Sequence, residues 1–157
     1  MRRLVIVGAL LALAAPARAD WQYTHWGMSV DEVVKASKGA AVPLESGDAQ
    51  HVRPGVGAEA RLKAPYKAGE YQFRAFFYFD GAGKLTLVDV SSDDLDPYGA
   101  SRAIVAELRA KYGPPLRDRP GWIEWQDSGN AIEYRDVNGK LPAITYRARV
   151  TEMNKGL

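Results

Sequence analysis

The 157-residue chain has no cysteine and only two histidines, His25 and His51. The first absence excludes disulfides, thiolate metal sites, cysteine nucleophiles and a lipid-accepting cysteine behind an export signal. The second leaves no HxH, HxxxH or HExxH spacing, so a zinc site would need both histidines brought together with carboxylates. His25 alternates with Trp21 and Tyr23 in an expected strand, which favours a packed, hydrogen-bonded imidazole, and His51 falls in a loop. The sequence therefore suggests no metal and no cofactor. It also lacks an apolar run of the roughly 17–25 residues that a membrane-spanning helix needs.

The chain begins "MRRLVIVGALLALAAPARA". Arg2 and Arg3 precede an apolar run over Leu4 to Ala15, and Ala17-Arg18-Ala19 fits a small-x-small cleavage site. This is the pattern of an export signal over residues 1–19, with a mature chain starting at Asp20 and no membrane anchor after cleavage. A periplasmic or secreted protein is the expectation. The precursor carries 21 basic and 19 acidic side chains. Losing Arg2, Arg3 and Arg18 leaves 18 basic against 19 acidic, a net charge of −1 with no Lys/Arg block. Nucleic-acid binding has no electrostatic support. Residues 20–157 suffice for one domain with a real core.

Two stretches share a spacing. "WGMSVDEVV" starts at Trp26 and "YGASRAIV" at Tyr98, each with an aromatic, Gly, one residue, Ser, three residues and Val. A nucleophile elbow needs a second Gly two residues after the Ser. Asp31 and Ala103 stand there instead, so both serines read better as helix caps. In the first copy Ser29 and Glu32 form a capping box, Met28 and Val33 the hydrophobic staple, and Gly39 the stop. In the second, either Asp96-Pro97 or Ser101 starts the helix, Ile104, Val105, Leu108 and Tyr112 form its buried stripe, and "YGPP" ends it.

Strand signals follow each helix: "AEARLKA", "EYQFRAFFYF" and "LTLVDVS" after the first, "WIEWQD", "AIEYRD" and "PAITYRARV" after the second. "DGAGK" and "NGK" supply hairpin turns. The pattern predicts an α+β fold, a tandem α-β-β-β repeat whose antiparallel sheet carries two helices packed on one face. Residues 40–57 read as a loop with at most a short strand. Asp93, Asp94 and Asp96 offer calcium ligands, but capping and helix-dipole roles explain them more simply; "DGAGK" is likewise a turn before it is a calcium loop.

The "GMS-x-x-x-V" helix start, the helix closing on Gly-x-Pro and the "DG-x-G-x-L" hairpin resemble small secreted proteins of the β-lactamase-inhibitor-protein-like type and the SmpA/OmlA family of outer-membrane assembly lipoproteins. The chain departs from the lipoproteins in lacking the lipid-accepting cysteine, and from the inhibitor type in having one helix per repeat instead of two. The resemblance implies a non-enzymatic binding role and carries over no functional residues.

Aromatics give the functional expectation. Phe76 and Tyr78 lie on the strand face opposite Phe73, Phe77 and Phe79, and Trp122 and Trp125 alternate likewise. A helix-covered sheet has polar residues on its other face, so aromatics there mean either an exposed recognition surface or cover by residues 40–57. Phe76, Tyr78, Trp125 and Tyr134 are the candidate binding residues. Three readings follow: a non-enzymatic binding module for another envelope protein; a small-ligand carrier with an aromatic groove between sheet and loop; and, last, a cofactor-free hydrolase assembling Ser, His and Asp from distant positions.

Overall fold

Ser29 caps the first helix, α1 (Val30–Ala36), in the computed structural model, which describes residues 20–51, 54, 56–92, 95–136 and 142–149. The expected export signal, Asp93, Asp94 and the Asn138-Gly139 turn lie outside the described residues. The capping box forms as its spacing predicts. The Glu32 amide donates to Ser29 Oγ at 3.3 Å, and the Ser29 amide donates to Glu32 Oε2 at 2.7 Å. That second bond favours the ionised carboxylate and lowers the Glu32 pKa. Gly27, at φ +87°, turns the chain into this cap, and its amide bonds the Leu85 carbonyl.

The second helix, α2 (Pro97–Tyr112), starts differently. Asp96 is its cap, with the Gly99 amide donating to Asp96 Oδ1 at 2.9 Å and Pro97 in the first turn. Ser101 therefore lies inside the helix, which corrects its reading as a cap. Gly99 is also no counterpart of Gly27. A Cβ there would fall 2.1 Å from Tyr71 Oη and 2.2 Å from Asp96 Oδ2, so a larger residue would have to displace those side-chain ends. Gly113, at φ +75°, ends the helix, and its carbonyl accepts from Trp125 Nε1 at 3.1 Å.

The expected strand at Trp21–His25 is instead a hairpin of two dipeptides, β1 (Asp20–Trp21) and β2 (Thr24–His25). The main sheet has eight antiparallel strands: β3 (Val42–Pro43), β4 (Glu59–Ala68), β5 (Tyr71–Phe79), β6 (Leu85–Ser92), β7 (Arg117–Arg119), β8 (Trp122–Gln126), β9 (Asn130–Asp136) and β10 (Pro142–Ala148). Their spatial order is β3-β4-β5-β6-β10-β9-β8-β7. Each half is thus a helix, a short edge strand and a three-strand meander, and the halves meet where β6 pairs antiparallel with β10. The edge strand β7 adds to the expected strands, and β3 is the short strand allowed within residues 40–57. Both edges are short, one carrying a proline and the other Arg-Asp-Arg, which discourages further pairing.

Alternation sends one set of side chains to the helices. Leu62, Phe77, Val88, Tyr146, Ile132 and Trp125 form one cross-strand row, and Ala64, Ala75, Val90, Ile144, Tyr134 and Ile123 form the next. These rows share a core with Val33 of α1 and Ala100, Ile104 and Leu108 of α2. Both helices therefore pack on one sheet face.

Because α1 is too short to hold itself in helical form, its cap contributes to folding. Ser29→Ala should lower unfolding free energy by about 0.5–2 kcal/mol in a denaturant titration, without changing the slope.

Candidate functional site

None of the four expected binding residues forms an exposed patch. Trp125 and Tyr134 point into the helix-covered core, and Phe76 and Tyr78, although on the opposite face, are 1 % and 0 % exposed. Of the two alternatives for this face, the exposed recognition surface gives way to the covered one, and the physical reason lies in the chain between β3 and β4. A 3-10 turn at Ser46–His51 carries Asp48, whose carboxylate holds Lys63 Nζ at 2.8 Å and Arg74 Nη1 at 3.2 Å. Lys63 is the cross-strand neighbour of Phe76, and the Arg74 guanidinium lies 6.0 Å from the centre of the Phe76 ring. The clamp thus straddles Phe76. The Asp48 carboxyl sits below its ordinary range, held down first by the Lys63 hydrogen bond and then by the Glu45 amide. Leu44, Glu45, Ala49 and Pro54 face Ala60, the cross-strand neighbour of Tyr78, across a gap of about 380 Å³. The lining of this gap contains no aromatic ring among the described residues.

The outer face of the other half carries exposed arginines around a half-buried Trp122. Register places Arg117, Glu124, Glu133 and Thr145 in one row there, and Arg119, Trp122 and Arg135 in the next, with Arg147 two residues beyond Thr145. Trp122 is the centre. The guanidinium carbons of Arg135, Arg119 and Arg117 lie 5.3, 5.6 and 5.8 Å from its ring, within cation–π range. The carboxylates lie deeper than the guanidiniums. Glu133 is 14 % exposed and pairs with Arg135 at 2.6 Å and Arg147 at 4.0 Å, while Glu124 pairs with Arg117 at 3.3 Å. Burial alone would raise the Glu133 pKa, but the hydrogen bond from Arg135 and the charges of Arg135 and Arg147 bring it below the ordinary value. Four arginines over two glutamates leave the patch net positive, and planar guanidiniums on an indole form a surface suited to carboxylates.

Tyr134 does take part in a polar cluster, although not as a surface group. Its hydroxyl contacts Ser101 Oγ and donates to Asp136 Oδ2 at 3.0 Å, and Ser101 Oγ lies 3.2 Å from the same oxygen. Burial raises the phenol, the Ser101 bond opposes this, and Asp136 adds to it, leaving a pKa of about 12. Ser and Asp thus meet, but no histidine lines the cleft beside them among the described residues. His25 is half-buried on β2, where its amide donates to Met28 Sδ at 3.4 Å. The "DGAGK" Asp80 accepts from the Ala82 and Lys84 amides, both at 2.9 Å, as a turn residue does. Asp96 is occupied as a cap.

No protein-family model, curated protein or solved structure matches the chain. The resemblance of its helix starts and hairpin rests on those short motifs alone.

Sealing of the first half gives a direct test. Phe76→Ser with Tyr78→Ser should lower the melting temperature sharply, since truncating even one large buried aromatic costs about 3–5 kcal/mol. An unchanged melting temperature would mean that the rings contact solvent.

Proposed function

We propose that the chain is a non-enzymatic binding module of the periplasm or exterior, and that it docks an acidic surface of another envelope protein on the outer face of β7–β10. The observation that carries this reading is Trp122 with three guanidiniums 5.3–5.8 Å from its ring on a sheet face that neither helix covers. Tryptophan and arginine are the residues most enriched where interface binding energy concentrates. The patch is positive although the chain expected after export carries −1 overall, so an acidic partner would be steered to this face. Glu124 and Glu133 lie within the patch and oppose a continuous polyphosphate, which favours a protein surface with discrete carboxylates over nucleic acid. The export pattern of residues 1–19 supports the location.

Mature protein immobilised and exposed to periplasmic extract tests the reading. Arg119→Glu and Trp122→Ala should each weaken capture of the same bound protein by about tenfold or more, while melting temperatures stay near wild type. Capture should fall as salt rises from about 0.15 to 0.5 M, and single-stranded oligonucleotide should not compete. Capture unaffected by both variants and by salt would refute the assignment.

A further inference from the structure

A second site lies on the opposite face, between α2 and the strands β8 and β9. The cleft there has a volume of about 410 Å³, within the range of small-molecule sites. Its walls are Val105, Ala106 and Ile123, its polar end is Ser101, Tyr134 and Asp136, and Arg102 and Arg109 stand at its rim. Arg109 is bound to Asp118 of β7 at 2.5 Å, which leaves Arg102 as the rim cation without that restraint. Gly121 shapes the far wall. It has φ +73°, its carbonyl accepts from the Asp136 amide, and a Cβ would fall 2.8 Å from the Asp136 carbonyl oxygen.

The polar end is unusual for helix–sheet packing. A serine within a helix ordinarily bonds its own backbone or faces water, but Ser101 turns to the sheet. Three contacts among Ser101, Tyr134 and Asp136 share two hydroxyl protons, so the cluster has no proton left for the second carboxylate oxygen. That atom, Asp136 Oδ1, is buried and has no hydrogen-bond partner among the described residues. A buried acceptor left unpaired is costly, more so on a charged group. A donor from outside the chain would satisfy it, and an ammonium does so best because both partners are charged.

From this geometry we propose that the cleft is a binding site for an aliphatic amino acid, free or in a short peptide. The ammonium donates to Asp136 Oδ1, the carboxylate pairs with Arg102, and the aliphatic side chain rests on Val105, Ala106 and Ile123. The two rim arginines disfavour a bare amine, and the orphan carboxylate oxygen disfavours a bare acid. The site is independent of the arginine face, since its residues belong to the helix-covered side of the sheet.

The test is calorimetry or amide chemical-shift titration of the mature protein with L-leucine and with L-leucyl-L-leucine, which separates the two sources. At least one should bind, and 4-methylpentanoate, which lacks the ammonium, should bind about tenfold more weakly or worse. Asp136→Asn and the exposed Arg102→Gln should each weaken binding similarly. The second variant keeps the test valid should the first unfold. The proposal is overturned if neither leucine nor the dipeptide binds at about 10 mM, if 4-methylpentanoate binds as well as leucine, or if Arg102→Gln binds like wild type.

Discussion

The pairing of β6 with β10 is the constraint on which everything else rests. Among the described residues it is the only ladder joining the two halves of the main sheet, running from Ser91 opposite Ala143 to Leu87 opposite Arg147. At its centre the buried Thr145 hydroxyl donates to the buried Asp89 carboxylate at 2.7 Å. On the other side of the same strands Val88, Val90, Ile144 and Tyr146 enter the core. A slip of one residue would exchange those two sets, placing Asp89 under the helices and the apolar residues in water. The seam therefore decides which face of all eight strands lies under the helices and which is the outer face.

From that seam outward the halves correspond in order but differ in one connection. Between the edge strand β3 and β4 the chain runs through residues 44–58, whereas between β7 and β8 it turns at Pro120-Gly121. The longer connection carries Asp48 over the sheet to Lys63 and Arg74, and the outer face beneath it bears Phe76 and Tyr78. Among the described residues no such connection reaches the outer face of β7–β10, and register puts arginines, glutamates and one tryptophan there. Side-chain chemistry on each face thus matches its cover. The first half uses both faces to build a core, and the second keeps one for solvent.

Much of this was legible in the sequence because it is local. Capping boxes, glycine–proline stops and two-residue alternation are properties of neighbouring residues, so both helices, the meanders and the tandem arrangement could be read directly. What lay above Phe76 and Tyr78 could not, since alternation shows which residues share a face and is silent on what a distant loop does to it. The serine match misled for a related reason. Ser29 and Ser101 have the same spacing from an aromatic and a glycine, but Asp96 had already capped α2, which freed Ser101 to face the sheet. The arginine face was hidden by dispersion. Arg117, Arg119, Arg135 and Arg147 form no block, and only strand register gathers them. Their alternation with core residues in "EYRD" and "TYRA", together with "RDR", was the available signal.

The outer face is asymmetric: it is sealed over Phe76 and Tyr78 in the first half and lined by exposed arginines in the second. An NMR titration with a soluble gadolinium chelate measures this asymmetry most directly. Ring signals of the buried Phe76 and Tyr78 should stay sharp while the side-chain signals of the exposed Arg119 and Arg135 broaden. Phe76 and Tyr78 broadening as strongly as Arg119, or Arg119 and Arg135 remaining protected, would contradict this asymmetry.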